Sequence, residues 1–183
     1  MTTEELKKHL LDYIKPSYPN IHIDVIDKED STRHIYFTEE KFKLLYPQQR
    51  FHYLIHKIPN DFYDNYISGT TWYELAPGEE PGNLDYHDSA TIESIKEMIL
   101  EILKNKTCFV KDLDNLFLTN QAVCHGDFRH SKKLLTDFEF TEKEQFDIFH
   151  VLMSEGGYCD CEILYNAFKD SGYANKYWSE RNK

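Results

Sequence analysis

Two cysteines one residue apart, Cys159 and Cys161, lie in the stretch Gly156-Gly157-Tyr158-Cys159-Asp160-Cys161-Glu162. Paired thiols ligate metals or cycle through disulfides, and either chemistry needs both sulfurs on one side. Inside a helix, residues two apart point about 200° from one another, so a Cys-x-Cys pair cannot converge there. At a loop-to-helix junction the backbone can turn both sulfurs the same way. The double glycine ends one helical pattern and the apolar run from Ile163 starts another, which puts the pair at such a junction. Asp160 reads as the N-cap, with Cys159 just outside the helix and Cys161 in its first turn.

Cys124 also precedes a helix, one that Asp127 can cap. The segments 128–137 and 142–154 read as two helices, and an antiparallel hairpin of them returns the chain to where it began. Cys124 can then meet the Cys-Asp-Cys loop, with His130 in the first turn of the outgoing helix. Three thiols plus a ring nitrogen, from His130 ahead of His125, satisfy a tetrahedral zinc ion. The same cysteines also fit two other roles. Free cysteines often pack between helices as small, semi-polar side chains. A thiol enzyme or redox sensor using Cys159 and Cys161 is the other: a helix dipole lowers a first-turn thiol pKa, while Asp160 and Glu162 raise it. Cys108 stands apart and reads as a core residue, with a place open to it as fourth ligand.

From Val123 to Phe168 the chain resembles a bacterial family, the domain of unknown function 2695 family. The resemblance rests on Cys124 and on Gly156-Gly157-Tyr158-Cys159-Asp160-Cys161-Glu162 leading into Ile163-Leu164-Tyr165-Asn166. The family carries a His two residues after its first Cys, where this chain has Gly126 between His125 and, later, His130. The resemblance implies no activity.

The elements that must position these residues follow from periodicity. Leu6, Leu10, Leu11 and Ile14 make a helical stripe that Pro16 and Pro19 stop. Ile21 to Val25 alternates as a half-buried strand, 27–31 reads as a hairpin loop, and His34 to Phe37 resumes a strand. Pro47 starts a helix with Phe51, Leu54, Ile55 and Ile58 on its apolar face. A short helix over 61–67 and a strand over 70–75 complete an αββααβ order, the arrangement that BolA-like and type II KH-like proteins resemble. Arg50 and His52 fall where BolA proteins show Arg-His, although Phe51 separates them here. The Gly-x-x-Gly loop that KH domains use on RNA is absent.

Pro77 to Asn83 is turn-rich and marks the boundary: an αββααβ unit over 1–76, a linker over 77–90, and a helical unit over 91–183. In the last unit, Ile92, Ile95, Met98, Ile99, Ile102 and Leu103 define one helix, Thr141 and Glu144 form a capping box, and a final helix runs from about Cys161 to Phe168. His52 and His56, spaced i, i+4, read as a helix-surface pair because no Glu separates them in the metalloprotease manner. Tyr63, Trp72 and Tyr73 read as core, and 74–80 as an acidic turn open to a docking partner.

Composition bounds the function. Hydrophobic residues are 40% and aromatics 15%, enough for a packed core. A formal charge of −11 disfavours a nucleic-acid binder and attachment to an anionic membrane. No apolar run approaches the roughly twenty residues of a membrane span, and Met1 to Leu6 carries no signal-peptide pattern. The four cysteines therefore read as cytoplasmic thiols or metal ligands. No phosphate loop, nucleophile elbow or dinucleotide fingerprint occurs. The expectation is an α+β protein acting as a non-enzymatic binding or regulatory protein of the cytoplasm, with a structural zinc and a protein partner or small ligand.

Overall fold

The computed structural model describes residues 1–82 and 87–181; Asn83 and the other linker positions 84–86, like 182–183, lie outside the described residues. The chain divides into two compact units, residues 1–86 and 87–183.

The first unit has the expected αββααβ order. Helix α1 (Thr3–Ile14) opens on a capping box, in which Thr2 and Glu5 each accept the other's backbone N–H. Strands β1 (His22–Asp27) and β2 (Arg33–Thr38) pair antiparallel across a turn that Asp30 closes by accepting the Thr32 N–H. A short 3-10 turn, Glu40–Leu44, leads into α2 (Pro47–Ile55) and α3 (Asn60–Tyr66), and β3 (Thr71–Leu75) returns parallel to β2. A parallel return needs a crossover, and α2 and α3 supply it.

Period-two alternation puts Ile23, Ile35 and Phe37 on the core face, where they join Leu6, Leu10 and Ile14 of α1 and Leu54 and Phe62 of the crossover. Trp72 packs onto Phe37, Phe51 and Tyr63 as a core aromatic should. Tyr73 departs from the expected core role. It lies on the opposite sheet face, stacked on Tyr36 with ring centroids 4.8 Å apart, because neighbours along a strand alternate sides.

The acidic turn is fastened from within while Pro77, Gly78 and Glu80 stay exposed. Glu74 is buried in β3, and buried Arg50 holds Glu79 through two guanidinium nitrogens while donating to the Glu74 and Leu45 carbonyls. Arg50 thus fastens α2 to the 76–79 turn. His52 of α2 and His56, its C-cap residue, sit edge to face at 4.4 Å.

Among its described residues the second unit is helical: α4 (Ser89–Glu101), α5 (Phe109–Leu118), α6 (Arg129–Asp137), α7 (Glu142–Ser154), α8 (Asp160–Glu162) and α9 (Gly172–Arg181). Two π-helical turns, Ile102–Lys106 and Ile163–Ala167, extend α4 and α8. The Thr141–Glu144 capping box starts α7 as expected. Helices α5 and α9 carry no place in the sequence reading. Cys108 is exposed at the start of α5 rather than in the core.

Buried Phe109, Leu113, Phe117, Phe128, Phe149, Leu152, Ile163 and Leu164 fill the centre of this unit. Phe128 stacks on Phe149 at 4.4 Å, and the Gln145 amide donates to the Thr136 hydroxyl, joining α6 to α7. Among the described residues no helix is long and apolar enough to cross a membrane.

Candidate metal centre

Three sulfurs meet in the helical unit. Cys124 Sγ lies 2.8 Å from Cys161 Sγ and 3.4 Å from Cys159 Sγ, and the last two are 3.2 Å apart. Among the described residues these three form the one group of three or more Cys, His, Asp or Glu donors able to share an ion, all within 4.8 Å of one another. Cys159 and Cys161 are buried and Cys124 is exposed, so the cluster opens on the Cys124 side.

The chain reaches this geometry in two segments. On one, α7 ends at Ser154 and the chain turns at Gly156, whose φ of 83° suits a residue without a side chain, with Gly157 next. A Cβ on Gly157 would stand 3.1 Å from the Ile163 Cα and from the Leu152 carbonyl oxygen, so α7 and the π-turn approach as closely as they do because this residue is glycine. Asn166 then donates to the Gly156 carbonyl at 2.7 Å, holding the turn to the helix beyond it. On the other segment, Gly126, with φ of 74°, bends the chain between Cys124 and α6.

One residue ties the segments together. The Asp160 N–H donates to the Asp127 carbonyl at 3.1 Å. The Asp160 carboxylate accepts the N–H groups of His130 and Ser131 and the Ser131 hydroxyl, at 3.0, 2.9 and 2.6 Å. Both cap assignments made from sequence therefore need correction. Cys159, not Asp160, occupies the N-cap position of α8, and Phe128 that of α6. Asp160 caps α6 from across the site, while Asp127 accepts the Arg129 N–H and its guanidinium. A carboxylate satisfies whichever orphan N–H groups it can reach in space, and sequence adjacency does not decide which.

Burial raises the Asp160 pKa, and its hydrogen bonds to Ser131 and His130 oppose that rise. Glu162 accepts the Tyr158 N–H at 2.9 Å and is raised by burial as well. The three thiols share their protons unequally. The Cys159 and Cys161 thiols beside it, with the Gly126 and Cys161 N–H groups, hold Cys124 far below the ordinary thiol range. Contact with Cys124 and burial push Cys159 and Cys161 up. Tyr165 and Tyr173 are raised by burial and then by negative charge on these sulfurs.

Of the expected ligands, the structure brings Cys124, Cys159 and Cys161 together and leaves His130 outside the group of mutually close donors. His130 lies in the first turn of α6, held by its own N–H to Asp160. Its Nε2 is buried with no hydrogen-bond partner among the described residues. His125, exposed, has its ring 6.4 Å from that of His130. Cys108 is not part of the group. Sequence reasoning found the cysteines but missed Ser131, whose hydroxyl and N–H anchor Asp160; a serine in a first helical turn carries no signal of its own.

Residues 114–166 match the family model described as Protein of unknown function (DUF2695), a span that contains all three clustered cysteines and His130. No curated protein and no solved structure matches the chain. The likeness of the first unit to BolA-like and type II KH-like proteins therefore goes no further than element order.

Proposed function

We propose that the chain is a non-enzymatic binding or regulatory protein whose helical unit is clipped by a structural zinc ion. Cys124, Cys159 and Cys161 hold the ion as thiolates and His130 supplies the fourth donor. The observation that carries this reading is the convergence of three sulfurs to within 3.4 Å of one another from segments 35 residues apart. Thiolates with one imidazole are a donor set that zinc takes in tetrahedral geometry. The buried Nε2 of His130, with no hydrogen-bond partner among the described residues, supports it further, since such an atom in a native fold calls for a ligand or partner.

The ion would join the Cys124 loop, the α8 entrance and the first turn of α6. That is the role of a structural site: it replaces core that a small helical unit lacks. A reducing cytoplasm suits four unpaired thiols, and the formal charge of −11 favours a protein partner or small ligand over nucleic acid or membrane.

Metal analysis of protein purified without chelator tests this, beside melting of wild type and Cys124→Ser with and without added zinc. About one zinc per chain is expected, with a melting temperature that Cys124→Ser lowers only when zinc is present. A metal-free protein whose melting ignores zinc overturns the proposal.

A further inference from the structure

We infer that the same sulfur cluster is a redox gate: a hydroperoxide oxidises Cys124, Cys161 resolves it as a Cys124–Cys161 disulfide, and the donor set for the metal is lost. The gate rests on the metal reading above, while the disulfide chemistry stands on the sulfur geometry alone.

Access selects the first sulfur. Cys124 is exposed, whereas Cys159 and Cys161 are buried, so an oxidant arriving from solvent meets Cys124 first. Distance selects the second. Cys161 Sγ is 2.8 Å from Cys124 Sγ, closer than Cys159 Sγ at 3.4 Å. The contact between Cys159 and Cys161, 3.2 Å long, joins residues two apart across the first turn of α8. Bonding that pair would join two residues of one loop and tie no second segment to it. Bonding Cys124 to Cys161 closes two segments already held face to face by the Asp160-to-Asp127 backbone bond and by the Asp160 cap on α6. This differs from the Cys159/Cys161 couple that the sequence suggests.

The electrons balance as follows. The Cys124 sulfur attacks an oxygen of the hydroperoxide, the O–O bond breaks, and an alcohol (water, for hydrogen peroxide) leaves with a sulfenic acid formed on Cys124. The Cys161 sulfur then attacks Cys124 Sγ. It attacks as the thiolate that held the ion: the S–S bond forms, the S–O bond breaks, and the leaving hydroxide takes a proton from solvent to depart as water. Two sulfurs have lost two electrons and the peroxide has gained them, while a zinc ion leaves unchanged in oxidation state. Cys159 and His130 remain, two donors where a structural zinc site takes four, too few to retain the ion.

The test treats zinc-loaded full-length protein with hydrogen peroxide, follows released zinc with a colorimetric chelator, and maps disulfides by alkylation and peptide mass. A Cys124–Cys161 cross-link forming in step with loss of most of the zinc is expected. Cys161→Ser should lose the cross-link and leave a sulfenic acid on Cys124 that dimedone traps. A Cys159–Cys161 bond as the main product overturns the assignment. Zinc-loaded protein that keeps its metal and free thiols in peroxide overturns the gate while leaving the metal reading intact. A chain that takes up no zinc overturns the metal reading first and the gate with it. Because the main readout uses wild type, a misfolded variant does not blunt it.

Discussion

Asp160 reaches across 29 residues of sequence to Ser131, accepting its hydroxyl at 2.6 Å and its N–H at 2.9 Å, although Asp160 stands between the two cysteines of its own loop. The residue flanked by two metal-type ligands is thus spent on the frame that aims them. It is 1% exposed, so its bonds are made in a medium where losing them is costly.

Removing that carboxylate should damage both the unit and the cluster. Asp160→Ala strands two backbone N–H groups and a buried hydroxyl, at a cost of about 3 kcal/mol by the usual values for caps and buried unpaired donors. Asp160→Asn keeps one acceptor oxygen and should cost about 1 kcal/mol. Denaturant melts of the two variants check the order. Equal losses would show that the charge, not the acceptor geometry, holds α6.

Gly157 supplies a second handle on the same loop. A methyl there meets backbone at 3.1 Å on two sides, and neither the Ile163 Cα nor the Leu152 carbonyl is a flexible end. Gly157→Ala should destabilise by about 2 kcal/mol, the usual cost of forcing atoms into a packed site. At Gly69, where a Cβ meets nothing within 4 Å, alanine should stay within about 0.5 kcal/mol of wild type. Thermal melts of the pair decide it, and indifference at Gly157 would mean that α7 and the π-turn can separate freely.

Glu74 makes the first unit sensitive to pH. Burial, against weaker help from its own backbone and from Arg50, lifts its carboxyl from an ordinary 4.5 to about 7. A folded pKa above the unfolded one means the folded state holds the proton more tightly. The penalty is therefore absent below about pH 4.5, grows as pH rises, and levels off above about pH 7. It amounts to about 3 kcal/mol across that window. Glu74→Gln should remove this slope and be the more stable form at pH 8. A wild-type profile that rises from pH 5 to 8 would contradict it.

The sequence carried the site further than it carried the frame. Cys124, Cys159 and Cys161 stood out because thiols at two loop-to-helix junctions have few other uses, and their convergence needed only helices that return on themselves. The αββααβ order was legible because Ile23, Ile35 and Phe37 alternate cleanly and Pro47 marks a helix start. Helix α5 was legible but passed over: Phe109, Leu113 and Phe117 recur every four residues, a helical stripe that the Asp and Asn between them do not break. Helix α9 was missed because its stretch offers no clear apolar stripe, Ala174 being its buried residue; Asp114 holds α9 in place by accepting the Gly172 and Tyr173 N–H groups. The placement of α9 depends on contacts distant in sequence, as does the cap that Asp160 supplies to α6. Local propensity has no access to such contacts.

His130 separates the four-ligand reading from a three-thiol one. Its Nε2 is buried without a hydrogen-bond partner among the described residues, while its N–H is fixed on Asp160 beside the cluster. His125 is nearer to Cys124 in sequence but exposed, so solvent competes for its ring. If His130 is the fourth donor, His130→Gln should weaken zinc binding by about a hundredfold, the upper range seen when a supporting ligand contact is lost. His125→Gln should leave it within about threefold, as expected of an exposed residue making no such contact. Competition against a chelator of known affinity measures both, with cobalt substitution reporting the donor set. Equal affinities in wild type and His130→Gln, with an unchanged cobalt spectrum, would assign the fourth position to something other than His130 and leave the three thiols as the whole protein contribution.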